Sequence, residues 1–215
     1  VAREFLASEF AAGNGAGPAL AILAAGASRR LGQCKALVEW NGLATFERLA
    51  RAGACFDAAP PLVVTGAHHE SIAARASAGV EVVLNAAWEL GRLGSVRAAR
   101  DARPGLDLCL APVDAPLVER EVFEQLARAW RAASSPAEGW LAPRTAGDPP
   151  RFGHPIVVGR ALLARLEQLD PSRSLRDLRD LARPLLSVVT SSRAILDDLD
   201  TPEDLSRLRN RERAE

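Results

Sequence analysis

One α/β domain, built on a mostly parallel central sheet with helices on both faces, is the architecture this sequence predicts. Three observations carry that prediction. Four short apolar runs read as strands of a parallel sheet: residues 19–24 (ALAILA), which suit burial on both faces, 61–65 (PLVVT), a second buried strand, 80–84 (VEVVL) and 106–111 (LDLCLA). Segments of helical period alternate with them, which implies right-handed βαβ crossovers and a ligand crevice at the carboxyl ends of the strands. The chain's 215 residues, 48% of them hydrophobic, suffice for one sizeable core.

Residues 1–12 place Val1, Phe5, Leu6 and Phe10 at near-helical spacing, so residues 1–18 read as a short helix and a glycine-rich lead-in. That glycine cluster, Gly13-Asn14-Gly15-Ala16-Gly17, precedes the first strand and therefore lacks a dinucleotide-binding context. The strand at 19–24 instead empties into Ala24, Ala25, Gly26, Ala27 and Ser28, residues small enough for backbone N–H groups to converge on a polyanion. Arg29, Arg30 and Lys35 add fixed cations to the same loop. It is not a Walker A loop, because five residues separate Gly26 from Gly32 and Ala36, not Ser or Thr, follows Lys35. Cys34 lies among these cations, which should favour its thiolate. Residues 36–40 read as a strand, Asn41-Gly42 as a tight turn and residues 44–55 as a helix, a unit that braces Lys35.

Past the run at 61–65, Gly66 turns the chain into a helix over residues 70–76. His68 and His69 sit at its start, and two adjacent histidines without a third ligand read as an exposed helix start before they read as a metal site. Residues 85–96 (NAAWELGRLGSV) leave the third strand at the same sheet edge and read as a second ligand loop. After residues 106–111, Pro112-Val113-Asp114-Ala115-Pro116 holds a carboxylate on stiffened backbone at that edge, as a hard divalent cation requires. Residues 119–133 form an amphipathic helix with Val122, Phe123, Leu126 and Trp130 on one face. A strand at 140–142, a Pro/Gly/Asp-rich loop at 143–151 and Phe152-Gly153-His154-Pro155 lead into a strand at 156–158. Helices at 160–169 and 174–181 flank Arg173, a weaker anion-binding candidate, before a late strand at 185–190. Residues 195–205 (ILDDLDTPEDL) start a helix with Pro202 in its first turn, behind Asp197, Asp198 and Asp200. Asp198 suits a second metal oxygen, and Asp200 either caps or braces the turn.

With 27 basic and 27 acidic side chains the protein has no broad basic field for nucleic acid, so any anion site is local. Three widely spaced cysteines form no zinc pattern and read as free thiols of a reducing cytosol. No apolar run has the length of a membrane span, and Arg3, Glu4 and Glu9 interrupt the start of the chain. The expectation is a cytoplasmic protein that binds neither membrane nor nucleic acid.

The string L-A-A-G-x-S-x-R-x-G-x-x-K, filled by Leu23, Ala24, Ala25, Gly26, Ser28, Arg30, Gly32 and Lys35, resembles the signature of the MobA-like nucleotidyltransferases, especially the molybdenum cofactor cytidylyltransferases. The segments around Asn85, Asp114, Gly153-His154 and D-x-D-T-P-E-D resemble the same family. The resemblance implies a Rossmann-like three-layer sandwich of the nucleotide-diphospho-sugar transferase type over residues 19–215. Its nucleotide-binding part would cover residues about 19–135 and its acceptor part about 136–215. It implies transfer of an NMP from an NTP to a phosphorylated acceptor, molybdopterin first, with release of pyrophosphate and a molybdoenzyme as protein partner. Lys35, Arg30 and Asp114 would be catalytic, and Leu23, Ala24, Ala25, Gly26, Ser28, Gly32, Asn85, Gly94 and Ser95 would bind the nucleotide. Gly153, His154 and Arg173 would meet the acceptor, and Asp114 with Asp198 would hold Mg²⁺.

The Ala25 methyl, where guanylyltransferases of that family tend to carry glycine, predicts CTP over GTP. Rival readings are a guanylyltransferase, a transferase to a sugar phosphate or phosphorylated small acid, and a nucleotide-binding cofactor chaperone or regulator.

Overall fold

In the computed structural model, which describes residues 17–170 and 173–214, the chain folds around one large sheet. The helix expected over residues 1–12, and the glycine cluster up to residue 16, lie outside the described residues. Strand β1 (Ala19–Ala24) is followed by a small antiparallel hairpin of β2 (Glu39–Trp40) and β3 (Leu43–Ala44). The main sheet then gains β4 (Leu62–Thr65), β5 (Glu81–Leu84), β6 (Leu108–Pro112), β7 (Trp140–Arg144), β8 (Ile156–Val158) and β9 (Leu185–Val189). Its seven strands lie in the order β5-β4-β1-β6-β8-β7-β9. All neighbours are parallel except β8, which runs against both β6 and β7.

Period-two alternation along the central strands builds the layers. Leu20, Ile22, Val63, Cys109 and Ala111 face a core formed with α1 (Thr45–Ala52), α2 (His69–Arg75), α4 (Arg120–Ala132) and α7 (Pro202–Ala214). Ala19, Ala21, Val64, Leu108 and Leu110 face the other core, formed with α3 (Arg92–Ala102), α5 (Arg160–Ala164) and α6 (Leu175–Asp180). This is the three-layer arrangement expected. From β1 the chain steps outward to β4 and β5, then crosses back to β6 on the other side of β1. That reversal opens a crevice at the carboxyl ends of β1 and β6, where open parallel sheets hold ligands.

Several boundaries differ from the sequence reading. Residues 36–40 are not one strand: a 3₁₀ turn, Lys35–Leu37, precedes β2, because the Lys35 amide donates to Ser28 Oγ at 3.2 Å and winds the chain back on the loop. The Asn41-Gly42 turn holds as expected, with φ of 46° and 81°. Strand β6 starts at Leu108 and not at residue 106, because the two preceding residues are occupied by a turn and a tether. The helix expected at 160–169 splits into α5 and a 3₁₀ segment, Arg165–Gln168.

The tether is Asp107, a carboxylate 7% exposed at the foot of β6. It accepts hydrogen bonds from Trp130 Nε1 at 3.0 Å, from the Arg160 amide at 2.8 Å and from Arg160 Nη1 at 3.2 Å. One side chain thus ties α4 and α5 to the sheet from opposite faces. Asp107→Ala should cost about 3 kcal/mol in urea unfolding, because it leaves a buried indole N–H and a helix-start amide unpaired. A loss under about 0.5 kcal/mol would show that the tether is dispensable.

Candidate active site

The carboxyl end of β1 runs into a loop wound around Ser28, which takes φ of 52°. The Ser28 carbonyl accepts the amides of Leu31 and Gly32, each at 3.1 Å. His68 Nε2 bonds the Ala27 carbonyl from the side at 3.1 Å. With the carbonyls turned to these tasks, the amides of Gly26, Ala27 and Ser28 have no acceptor among the described residues. Successive unpaired N–H groups on a short loop form a nest for an anion. The loop borders a cavity of about 330 Å³ at the crevice, near the low end of the roughly 300–1,000 Å³ typical of ligand clefts.

Charges alternate along one wall of this cavity. Lys35 Nζ lies 2.7 Å from Asp114 Oδ1 and 2.5 Å from Asp200 Oδ1. Arg30 donates to the other oxygen of Asp200 at 2.6 Å, and Arg92 stands 3.6 Å from the other oxygen of Asp114. Burial works to lower the Lys35 pKa, yet the Asp114 and Asp200 carboxylates outweigh it and hold the ammonium above its usual value. For Asp200, burial works upward, but Lys35 and Arg30 prevail and hold it below the usual carboxylate range. Asp198 goes the other way: burial, then the Asp200 and Asp114 charges, raise its pKa. Cations and carboxylates here hold one another in place.

The sequence profile of the MobA-like NTP transferase domain matches residues 20–188, most of the chain and all of this site except Asp200. The chain belongs to the MobA-like NTP transferase family. It is 31% identical, over 87% of its own length and 92% of the relative's, to a molybdenum cofactor guanylyltransferase of Xanthomonas euvesicatoria. The crystal structure of Rv0371c from Mycobacterium tuberculosis H37Rv is similar at a TM-score of 0.73 and 25% identity, covering 90% of this chain and 97% of that one. Molybdopterin-guanine dinucleotide biosynthesis protein A from Archaeoglobus fulgidus shares the fold at a TM-score of 0.70 and 19% identity, covering 91% and 99%.

Of the residues that the MobA-like signature singles out, Leu23, Ala24, Ala25, Gly26, Ser28, Lys35, Ser95, Asp114 and His154 line the cavity. Gly32, with φ of 76°, closes the loop turn behind it. Asn85 and Gly94 stand behind the wall as well. The Asn85 amide donates to Ser95 Oγ at 3.2 Å and its carbonyl accepts the Ala87 amide at 3.1 Å, so Asn85 positions Ser95. A side chain at residue 94 would press on Asn85 Nδ2 at 3.2 Å. Gly153 is there for close approach, since a Cβ would lie 2.0 Å from the Ile195 carbonyl. Arg173 is outside the cavity and pairs with Asp177 at 3.5 Å.

Asp198 is not among the lining residues, whereas Asp200 is. The turn that Asp200 was expected to cap is capped by Asp204, whose Oδ2 accepts the amides of Asp200 and Thr201 at 3.1 and 3.0 Å. Asp200 is left to face Lys35. Arg92 and Trp88 also line the cavity and were not expected there. Trp88 was visible as the aromatic of N-x-x-W, but nothing in the sequence marks Arg92, which is brought in by Gly91 at the start of α3 with φ of 122°.

Two further expectations need adjustment. The Cys34 thiol is half-buried, and burial pushes its pKa up; of the cations meant to favour a thiolate, Lys35 and Arg30 are committed to Asp114 and Asp200, and Arg29 lies 4.0 Å from Glu89. His68 and His69 serve the loop and β4, His69 Nδ1 sharing a hydrogen bond with Thr65 Oγ1 at 2.7 Å. Among the described residues no group of three or more His, Cys, Asp or Glu is arranged to hold a metal by itself, and no helix is long and apolar enough to cross a membrane.

Proposed function

We propose that this protein transfers a nucleoside monophosphate from an NTP to the phosphate of a molybdopterin-type acceptor, releasing pyrophosphate, with GTP as the donor. The observation that carries the transfer is the Lys35 ammonium set between Asp114 and Asp200 beside a loop of unpaired amides. The amides of Gly26 to Ser28 and the charges of Lys35 and Arg30 suit a triphosphate. An acceptor phosphate oxygen then forms the new P–O bond at the α-phosphorus as the bond to pyrophosphate breaks, and being already anionic it needs little help from a base. Lys35 would stabilise the charge that gathers on the α-phosphate and the leaving group.

The residues present also fit Mg²⁺. Asp114 and Asp200 are hard oxygen donors on the cavity wall, both within reach of the Lys35 ammonium. A pair of carboxylates completed by phosphate oxygens and water is a common Mg²⁺ environment. Asp114 with Asp200, more than Asp198, would hold the ion. When bound, Mg²⁺ would withdraw negative charge from the phosphates.

The guanosine donor is supported by the name of the 31%-identical relative, and on that ground the CMP preference expected from Ala25 gives way. A CTP reading retains one observation, that Ala25 lines the cavity. A single methyl is a filter of about 1–3 kcal/mol. Pyrophosphate release measured with each NTP and molybdopterin decides the matter: kcat/KM for GTP should exceed that for CTP at least about tenfold. A CTP preference would overturn the guanylyl reading, and no release with any NTP would overturn the transferase reading.

A further inference from the structure

Phe152 is one of the few large apolar side chains left in solvent, 54% exposed. Its position is tied to the cavity in two independent ways. An isolated antiparallel bridge pairs Phe152 with Arg144, and residues paired across a ladder share a sheet face. Arg144 follows Trp140 and Ala142 by steps of two along β7, and both of those belong to the core shared with α3, α5 and α6. Leu110, Ile156 and Val96 belong to the same core and line the cavity. Phe152 therefore stands on the face of the sheet that carries the cavity.

The second tie is α6. Its first residue, Leu175, lines the cavity, and Arg179 lies one helical turn further on. The Arg179 guanidinium sits 6.0 Å from the centre of the Phe152 ring. Arg144, the bridge partner of Phe152, donates to Ser187 Oγ at 3.2 Å and to the Thr145 carbonyl at 3.4 Å. Neither arginine is paired with a carboxylate among the described residues. The result is an exposed aromatic ring, two residues before His154, with one arginine over it and a second as its bridge partner.

His154 supports the direction. It lines the cavity with Nδ1 buried and unpartnered, and burial, then the Arg92 charge, lowers its pKa and favours the neutral imidazole. A neutral donor and acceptor suits the polar edge of a heterocycle better than a phosphate.

We propose that Phe152, with Arg179 and Arg144, forms the platform on which a planar heteroaromatic ring of the acceptor stacks, its anionic substituents toward the arginines, while His154 meets its edge. This rests on the pterin-type acceptor inferred above. A planar ring between Phe152 and Arg179 needs two contacts of about 3.5 Å each. The present gap of 6.0 Å would have to widen only by about 1 Å, which a solvent-exposed arginine allows.

The test uses the full chain and 6-carboxypterin, a fluorescent anionic pterin, titrated by fluorescence quenching. Phe152→Ala should weaken binding about tenfold, the size of one aromatic stacking contact. Phe152→Trp should restore it, and Arg179→Ala should weaken it several-fold. In turnover with molybdopterin, Phe152→Ala should raise the acceptor KM by more than it lowers kcat. Equal pterin affinity of wild type and Phe152→Ala, or no affinity in the wild type, would overturn the platform. If instead pterin binding is lost in Phe152→Ala but no NTP supports pyrophosphate release, the platform stands and the transferase reading falls.

Discussion

Lys35→Ala is expected to lower kcat by about 100- to 1,000-fold, the effect of removing one preorganised donor from a site where charge develops. The loss in kcat should exceed the loss in NTP affinity, because a phosphate chain gathers most charge on the leaving group as the bond breaks. Equal losses would reduce Lys35 to a binding residue. The same substitution leaves Asp114 and Asp200 facing each other without the ammonium between them, which should cost about 1–3 kcal/mol of stability. The sign of its pH dependence follows from the two shifts. Lys35 is raised above 10.5, so its contribution is fully present below that value and is lost as pH rises through the folded pKa. Asp200 is lowered below 3.8, so its contribution is present above that value and is lost as pH falls through the folded pKa. Between these limits the penalty should be flat, equal in urea at about pH 6 and about pH 9. A penalty that halved over that interval would mean that the carboxylates do not hold the proton on Lys35.

What was readable in the sequence was whatever local pattern decides. The apolar runs of β1, β4 and β8 fell at their observed places within a residue or so, because burial on both faces leaves few ways to write such a strand, and β5 did so although it is the half-exposed edge strand. The helical face of Val122, Phe123, Leu126 and Trp130 is wholly buried, as its spacing required. The phosphate-type loop was readable because its small residues and cations are consecutive. What escaped was set by contacts distant in sequence. Residues 36–40 have a strand's composition, yet Ser28 Oγ captures the Lys35 amide first. Asp197, Asp198 and Asp200 read as one acidic cluster, but Arg211 takes Asp197, Asp204 takes over the cap, and Asp200 alone turns to Lys35. No periodicity encodes that division. Arg92 was invisible for the same reason, since its relevance depends on Asp114 arriving from another strand.

Asp114→Asn should lower kcat by about 1,000-fold or more with little change in thermal stability. Its backbone is fixed independently of its side chain, by Pro112 at the end of β6 and by the Leu199 amide, which donates to the Asp114 carbonyl at 2.9 Å. The carboxylate itself is 25% exposed and fills no core space. Asparagine has the same shape and still offers Lys35 one oxygen, so the fold should keep its Tm within about 4 °C, the shift expected for roughly 1 kcal/mol in a chain of this size. What it removes is a full negative charge. Lys35 would then be held by Asp200 alone, and a divalent cation at the wall would have a single ionised ligand in reach, so the Mg²⁺ concentration needed for half-maximal activity should rise. Measuring turnover over a Mg²⁺ titration alongside Tm separates the possibilities. Near-normal turnover at the same Mg²⁺ midpoint would remove Asp114 from the chemistry, and a fall in Tm of ten degrees or so would make it a structural residue. The expected pattern, lost rate with a raised Mg²⁺ midpoint and an intact fold, would leave it as the carboxylate on which metal, ammonium and phosphates meet.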